Sequence, residues 1–103
     1  AMMLPHVIRF NAAHTPSART YAELAAFLAP EGLDVPHTRL ADWIEELLET
    51  AGLARSLAAC GICRDDLDSL ATSASEQWTL QFNPRPAEVS DLRTIYESAL
   101  NLP

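Results

Sequence analysis

Cys60-Gly61-Ile62-Cys63 is the stretch whose residue types and spacing could most readily do chemistry. A C-x-x-C pair can act as a dithiol redox site when its first thiolate is activated at a helix N-terminus. That arrangement needs a strand before the pair and a long helix starting at it. Here the pattern places a short helix before the pair and a helix-to-helix turn on it. Cys60 falls at a helix end, where the dipole works against negative charge. The plainer expectation is two small buried residues flanking a turn glycine. A structural zinc site needs more ligands, and His6, His14 and His37 have no paired spacing. His6, on an apolar helical segment, reads as structural, and His14 and His37 adjoin turns. Three glycines in all do not make a phosphate loop. No serine sits in a nucleophile-elbow pattern. Glu45-Glu46-Glu49 and Asp65-Asp66-Asp68 read as a solvated face and a helix start. Type and spacing alone nominate no catalytic group.

The elements that would position these residues are helices within one domain. At 103 residues the chain has room for one domain, burying roughly two-thirds of its unfolded surface. Seven basic residues against fourteen acidic ones give a net charge of −7. That balance argues against a nucleic-acid backbone, which needs Lys and Arg to displace counterions. It argues equally against an anionic membrane surface, and no apolar run approaches a membrane span. No signal-peptide pattern opens the chain. Two cysteines are too few for a disulfide scaffold, so a cytoplasmic location is the expectation.

Taken in order, Leu4 to Asn11 reads as the last turns of a helix with no room for its beginning, as if the chain started within something larger. Pro5 suits a first helical turn, and Met3, Val7 and Phe10 share a face. Thr15 and Pro16 open a helix over 16–29, with Tyr21, Leu24, Phe27 and Leu28 as its stripe. Pro30-Glu31-Gly32 stops it, and a loop follows to His37. A long helix then runs to Ala51, with Leu40, Ile44, Leu47 and Leu48 facing inward, Trp43 beside them and Gly52 as its C-terminal stop. Ser56 to Cys60 is a short turn of helix. The acidic run Asp65-Asp66-Asp68 opens the next helix, which fades near Ser75. Gln77 to Pro86 is a loop, and Glu88 to Leu100 is a last helix facing inward through Leu92, Ile95, Tyr96 and Ala99. The fold class is all-α, a small bundle of five to six helices.

Four stretches, in order, carry a resemblance. Leu4 to Asn11 resembles the LLPHVMRFN segment of the iron-containing alcohol dehydrogenases, a family that also holds the maleylacetate reductases. Gly61-Ile62 with Asp65-Asp66-Leu67 resembles its LGV-x-x-E-D-L turn and helix. Gln77-Trp78-Thr79-Leu80-Gln81-Phe82-Asn83-Pro84-Arg85-Pro86 resembles its QWT-x-x-FNPRP loop. Asp91-Leu92 to Tyr96 resembles its closing EDL-x-x-x-Y helix. Together they cover nearly the whole chain.

The resemblance implies that residues 1–103 are the C-terminal part of the family's helical domain, of dehydroquinate synthase-like architecture, without its ligand-bearing helices. In the whole enzyme hydride would pass between NAD(P) and an alcohol or carbonyl, with Fe²⁺ or Zn²⁺ polarising the oxygen as a Lewis acid. Those metal ligands, an Asp and His residues ending in a PHG segment, lie upstream of LPH in the family. His6 matches a non-ligand position, so neither metal nor nicotinamide is expected to bind within this chain. The loop before NPR lines the family's substrate cleft. Trp78, Thr79, Phe82 and Asn83 are therefore the candidate lining residues, although Trp78 and Phe82 are expected to pack into the core. The chain alone is expected to be inactive. Its expected partners are the missing nucleotide-binding domain and a second copy, met through Met2, Met3, Leu4, Val7 and Ile8. These residues span more than one helix face. A stand-alone interaction module is the alternative, ahead of a C-x-x-C redox protein.

Overall fold

A computed structural model describes residues 1–28 and 38–101, and every regular element among them is helical. The helices are α1 (Leu4–Ala12), α2 (Thr15–Leu28), α3 (Thr38–Thr50), α4 (Leu67–Ser75) and α5 (Val89–Leu100). Short 3₁₀ turns occupy Ala58–Cys60, Arg64–Asp66 and Trp78–Phe82. The all-α class stands as read from the sequence, and the five α-helices among the described residues fall within the five to six expected. The loop over 30–37, with His37 and the Pro30-Glu31-Gly32 stop, lies outside the described residues, as does the last residue of the helix expected over 16–29.

α1 is the centre of the bundle. It packs against α2, α3 and α5, while α4 lies along α5. Pro5, in its first turn, is buried with Ile8 and Asn11, a row at three-residue spacing along one side of the helix. Val7 and Phe10 lie against a second surface built from Ala71, Leu92 and Ile95 of α4 and α5. Coverage on two sides is why the apolar residues of this helix overflow a single stripe. Ile8 is buried and Val7 packed, and Leu4 is the large apolar residue of this segment that stays half in water.

Backbone geometry closes the ends. The His14 carbonyl accepts the amides of Ser17 and Ala18, each at 3.0 Å, so α2 begins at Thr15, one residue earlier than the sequence pattern placed it. Gly52 takes a left-handed φ of +71° after α3, and the Leu53 amide returns to the Leu48 carbonyl at 2.9 Å. Gly61, at φ +87°, ends the Ala58–Cys60 turn in the same way, with the Ile62 amide on the Leu57 carbonyl. A side chain at either glycine would force a left-handed backbone that L-residues avoid. The Asp66 and Asp91 carboxylates accept the Cys63 and Glu88 amides, each at 2.9 Å, fixing the 3₁₀ turn that leads into α4 and the start of α5.

The main apolar mass lies between α4 and α5. Leu57, Leu67, Ala99 and Leu100 form one buried cluster, and the Leu57 amide donates to the Ala99 carbonyl at 2.9 Å, strapping the incoming chain to α5. Each large buried aliphatic here is worth about 1.5–3 kcal/mol against leaving it in water.

Three sequence expectations are corrected. In α2 the inward positions belong to the small residues Ser17 and Ala25, so Leu24 is half exposed and Phe27 is 86% exposed. In α3, Ala41 and Leu48 are buried, whereas Leu47 is 67% exposed. Helical spacing gives the period of a stripe, but the neighbours decide which face turns inward. Cys60 and Cys63 are both exposed free thiols rather than buried ones, because the Gly61 turn stands at the surface.

Candidate functional site

The segment after α4 is built to hold side chains in the open. Gln77 is extended, and the chain then winds through the 3₁₀ turn Trp78–Phe82, with the Leu80 amide on the Gln77 carbonyl and the Asn83 amide on the Leu80 carbonyl. Asn83 is extended again, as a residue before proline must be. The turn sends Leu80 inward against the Ala71, Leu92 and Ile95 cluster. It sends Trp78 and Phe82 outward, 70% and 68% exposed. This overturns the expectation that both rings pack into the core. Their centroids stand 5.6 Å apart at 90°, an edge-to-face pair. Thr79 is exposed between them.

The loop is pinned to the end of α1 by side-chain amides. The Asn11 Nδ2 donates to Asn83 Oδ1 at 2.9 Å, and the Asn83 Nδ2 donates back to Asn11 Oδ1 at 2.8 Å. Asn83 Nδ2 also donates to the Arg85 carbonyl at 2.6 Å, and Asn11 Nδ2 to the Tyr21 hydroxyl of α2 at 3.0 Å. Arg85 closes the set. Its Nη1 donates to the Phe10 carbonyl at 2.7 Å, and its guanidinium lies 3.8 Å over the Phe10 ring. Asn11 is only 1% exposed, and every polar atom of its side chain has a partner. A fully satisfied buried polar network of this kind rigidifies what it joins.

Space flanks the turn on both sides. An apolar cavity of about 290 Å³ lies between it and the Val7, Leu92 and Ile95 side chains. A more open, half-polar depression of about 610 Å³ runs along Trp78, Gln81 and Pro86 on its other side. Gln77, Leu80, Asn83 and Ala87 border both.

The other chemical candidates are engaged elsewhere. Burial, with Arg9 nearby, pushes the His6 imidazole below its ordinary pKa against a weaker opposing pull from Glu45. Its Nδ1 faces Ser98 Oγ at 3.3 Å. His14 Nδ1 lies 3.2 Å from Ser17 Oγ at the start of α2. The Cys63 thiol hydrogen-bonds the Asp66 carboxylate at 3.1 Å, and that contact pushes its pKa up, opposite to what a redox thiolate requires. Among the described residues no group of three or more His, Cys, Asp or Glu side chains could hold a metal. The residues described do not fit the family's metal.

The profile of the iron-containing alcohol dehydrogenase family, C-terminal part, matches residues 1–100. The chain belongs to this family. Lactaldehyde reductases of Escherichia coli K12 and of E. coli O157:H7 are each 29% identical to it over 103 residues, covering 96% of this chain. The chain spans 26% of the length of those relatives. Membership accounts for the helical architecture and for the alignment of four motifs along one short chain. It also identifies the two motifs that the structure joins, since Asn11 closes the LPH segment and Asn83 opens NPRP. No helix among the described residues is long and apolar enough to cross a membrane.

Of the four residues named from the sequence, Trp78, Thr79 and Phe82 share one exposed turn. They do not share one space: Thr79 borders the apolar cavity and Trp78 the half-polar depression, while Asn83 borders both with its amide committed to Asn11 and Arg85. Sequence reasoning missed Asn11, Tyr21 and Arg85 as supports of this turn. The one signal for Asn11 was its place three residues after Ile8, on the buried row of α1.

Proposed function

We propose that this chain is the C-terminal helical portion of an NAD(P)-dependent alcohol dehydrogenase, passing hydride between the nicotinamide and an alcohol or carbonyl in the assembled enzyme. Trp78, Thr79 and Phe82 line its substrate cleft from this turn, with Trp78 and Phe82 as the exposed wall, and Asn83 fixes that wall in place. The observation that carries this reading is the exposed Trp78–Phe82 pair on a turn held rigid from below. Two adjacent aromatic rings left largely in water usually mark a surface that meets a ligand or another part of the protein. A flat, stiff apolar wall orients a substrate and excludes water from it, which is the contribution this chain can make to hydride transfer. No step through a metal is assigned to these residues, and the nicotinamide and metal belong to the remainder of the enzyme.

The test is a hybrid in which this chain replaces the segment it matches in the E. coli lactaldehyde reductase. The hybrid should reduce aldehydes with a nicotinamide cofactor, and this chain alone should not. Trp78→Ala in the hybrid should change KM across a panel of aldehydes of different size far more than it changes cofactor affinity. A folded hybrid that binds nicotinamide but reduces no carbonyl would sink the reading. Self-association belongs to the same proposal, because Leu24 and Phe27 of α2 and Leu47 of α3 are apolar side chains left exposed for a second copy to cover.

A further inference from the structure

The amide pair is a more specific device than a generic core contact. Two asparagines 72 positions apart each donate to and accept from the other, and each also spends a donor on a third group. Between them they tie α1, α2 and the Trp78–Phe82 turn to one point. The Asn83 side chain has no donor left for a substrate. Its value lies in where it holds its neighbours.

We propose that Asn11 and Asn83 are positioning residues, a reciprocal amide clasp that sets the orientation of the Trp78–Phe82 wall and so the carbonyl substrates the cleft accepts. The second half of this statement rests on the cleft-wall reading above. The first half does not. The two ends of the turn differ in how they are held. Its start follows directly from α4 through the extended Gln77, and its middle is anchored by Leu80 in the core. Its end is held by the Asn11 amide and by Arg85 on the Phe10 carbonyl. Pro84 and Pro86 remove backbone donors here, so no backbone ladder can substitute for the side-chain bonds. Loosening the clasp frees the Phe82 end first and undoes the right-angled packing of its ring on Trp78.

The chemistry of the pair supplies a test that a merely structural asparagine would fail. Asn11→Asp is nearly isosteric. When ionised, the introduced carboxylate places an acceptor where Asn11 Nδ2 now donates to Asn83 Oδ1 and the Tyr21 hydroxyl. The Tyr21 O–H can turn and donate to it. Asn83 Oδ1 cannot, and flipping the Asn83 amide would set that oxygen against the Arg85 carbonyl, so the two facing acceptors repel and the clasp opens. When neutral, the introduced carboxyl donates through its O–H and accepts through its carbonyl, and the reciprocal pair re-forms. The groups facing it are the Asn83 amide and the Tyr21 hydroxyl, with Arg85 held beyond them on Phe10. The protonated form is the clasped form, so the clasp should return as pH falls. Wild type, with two amides, should show no such change.

The experiment is NMR on this chain, following the Trp78 indole resonances displaced by the Phe82 ring, with Leu67 methyl signals as a report on the distant core. At neutral pH Asn11→Asp and Asn83→Ala should lose the Trp78 displacement while the Leu67 signals persist. Lowering the pH should restore it in Asn11→Asp only. Trp78 signals unchanged at neutral pH in both variants would overturn the proposal, as would loss in Asn11→Asp that acid does not reverse. If Asn11→Asp unfolds at neutral pH, Asn83→Ala and the acid arm of Asn11→Asp still decide the matter. In the hybrid enzyme Asn83→Ala should raise KM several-fold with a smaller change in kcat. If Trp78→Ala leaves KM for every aldehyde unchanged there, the cleft-wall reading falls while the NMR result on the clasp stands.

Discussion

The two flanks of α1 are built differently. On one side α4 and α5 bury Leu67, Leu92, Ile95 and Leu100, with Val7 and Phe10 of α1 laid against Leu92 and Ile95. On the other, the buried apolar residues of α2 and α3 among the described side chains are Ala25, Ala41 and Leu48, while Phe27 and Leu47 stand in water. The first flank closes a core of its own and uses it as a base for the Trp78–Phe82 turn. The second holds on to α1 partly through polar contacts, with Arg9 on Asp42 at 3.0 Å and on Glu45 at 2.6 Å, and Asn11 on Tyr21. Such half-exposed ion pairs are worth at most about 1 kcal/mol each. The comparison teaches that stability and site support are concentrated in α1, α4 and α5. The α2–α3 flank offers apolar surface for other protein to cover.

The sharpest way to break this contrast is to cut into each flank. Leu67→Ala removes a fully buried side chain at the start of α4 and should destabilise the chain by about 3 kcal/mol in chemical unfolding. Leu47→Ser should change stability by no more than about 0.5 kcal/mol, as surface substitutions usually do. Equal losses would show that α2 and α3 carry as much of the core as α4 and α5. Leu47→Ser with Phe27→Ser should also shift sedimentation equilibrium at micromolar concentration toward a single 11.3 kDa species. A wild-type chain already monomeric there would remove the proposed self-association through this face.

Trp78→Ala comes next in size and sharpens the same line from the side of the site. Because the ring is 70% exposed, its loss should cost about 0.5 kcal/mol or less in this chain. A buried tryptophan in the same place would have cost about 3 kcal/mol or more. A large loss would return Trp78 to the core and withdraw it from the cleft wall.

What the sequence made legible follows from how far each signal reaches. Helix periods are local, and so are the stops at Gly52 and Gly61, which is why the all-α class and most helix bounds could be read directly. The side a helix turns inward is not local. Leu24 and Phe27 have the spacing of a buried stripe, yet α2 settles on Ser17 and Ala25, with the half-buried Tyr21 between them on Asn11. Cys60 and Cys63 were misjudged for a related reason, since a turn glycine says where the chain bends but not how deep the bend lies. The QWT and NPRP residues were found through resemblance, but Asn11 was not, because its partner is 72 residues away and asparagine near a helix end ordinarily means a cap. A buried polar residue becomes recognisable only when its acceptor and donor are in view.

The smallest expected effect probes the seam between the flanks. His6 sits on α1 near the Arg9 and Glu45 pair toward α3, and near Ser98 of α5. Burial first, and then Arg9, lower its pKa below the ordinary histidine value, with Glu45 opposing. Glu45 is itself lowered, chiefly by its hydrogen bond from Arg9. Both groups therefore bind protons less readily in the folded chain than in the unfolded one. By linkage, each contributes stability that is complete above its unfolded pKa and disappears as pH falls through its folded pKa. Stability should accordingly begin to decline as pH drops below the ordinary histidine range. It should decline further through the carboxylate range, as Glu45 is protonated and its ion pair with Arg9 breaks. His6→Gln should remove the first part of that decline and leave the second. Arg9→Gln should weaken both, since Arg9 acts on each group. Urea unfolding midpoints followed from neutral pH down to the carboxylate range would read the two steps separately. A His6→Gln profile that overlays wild type across the histidine range would mean that the α1 imidazole is not desolvated, and that the seam between the two flanks is open to water.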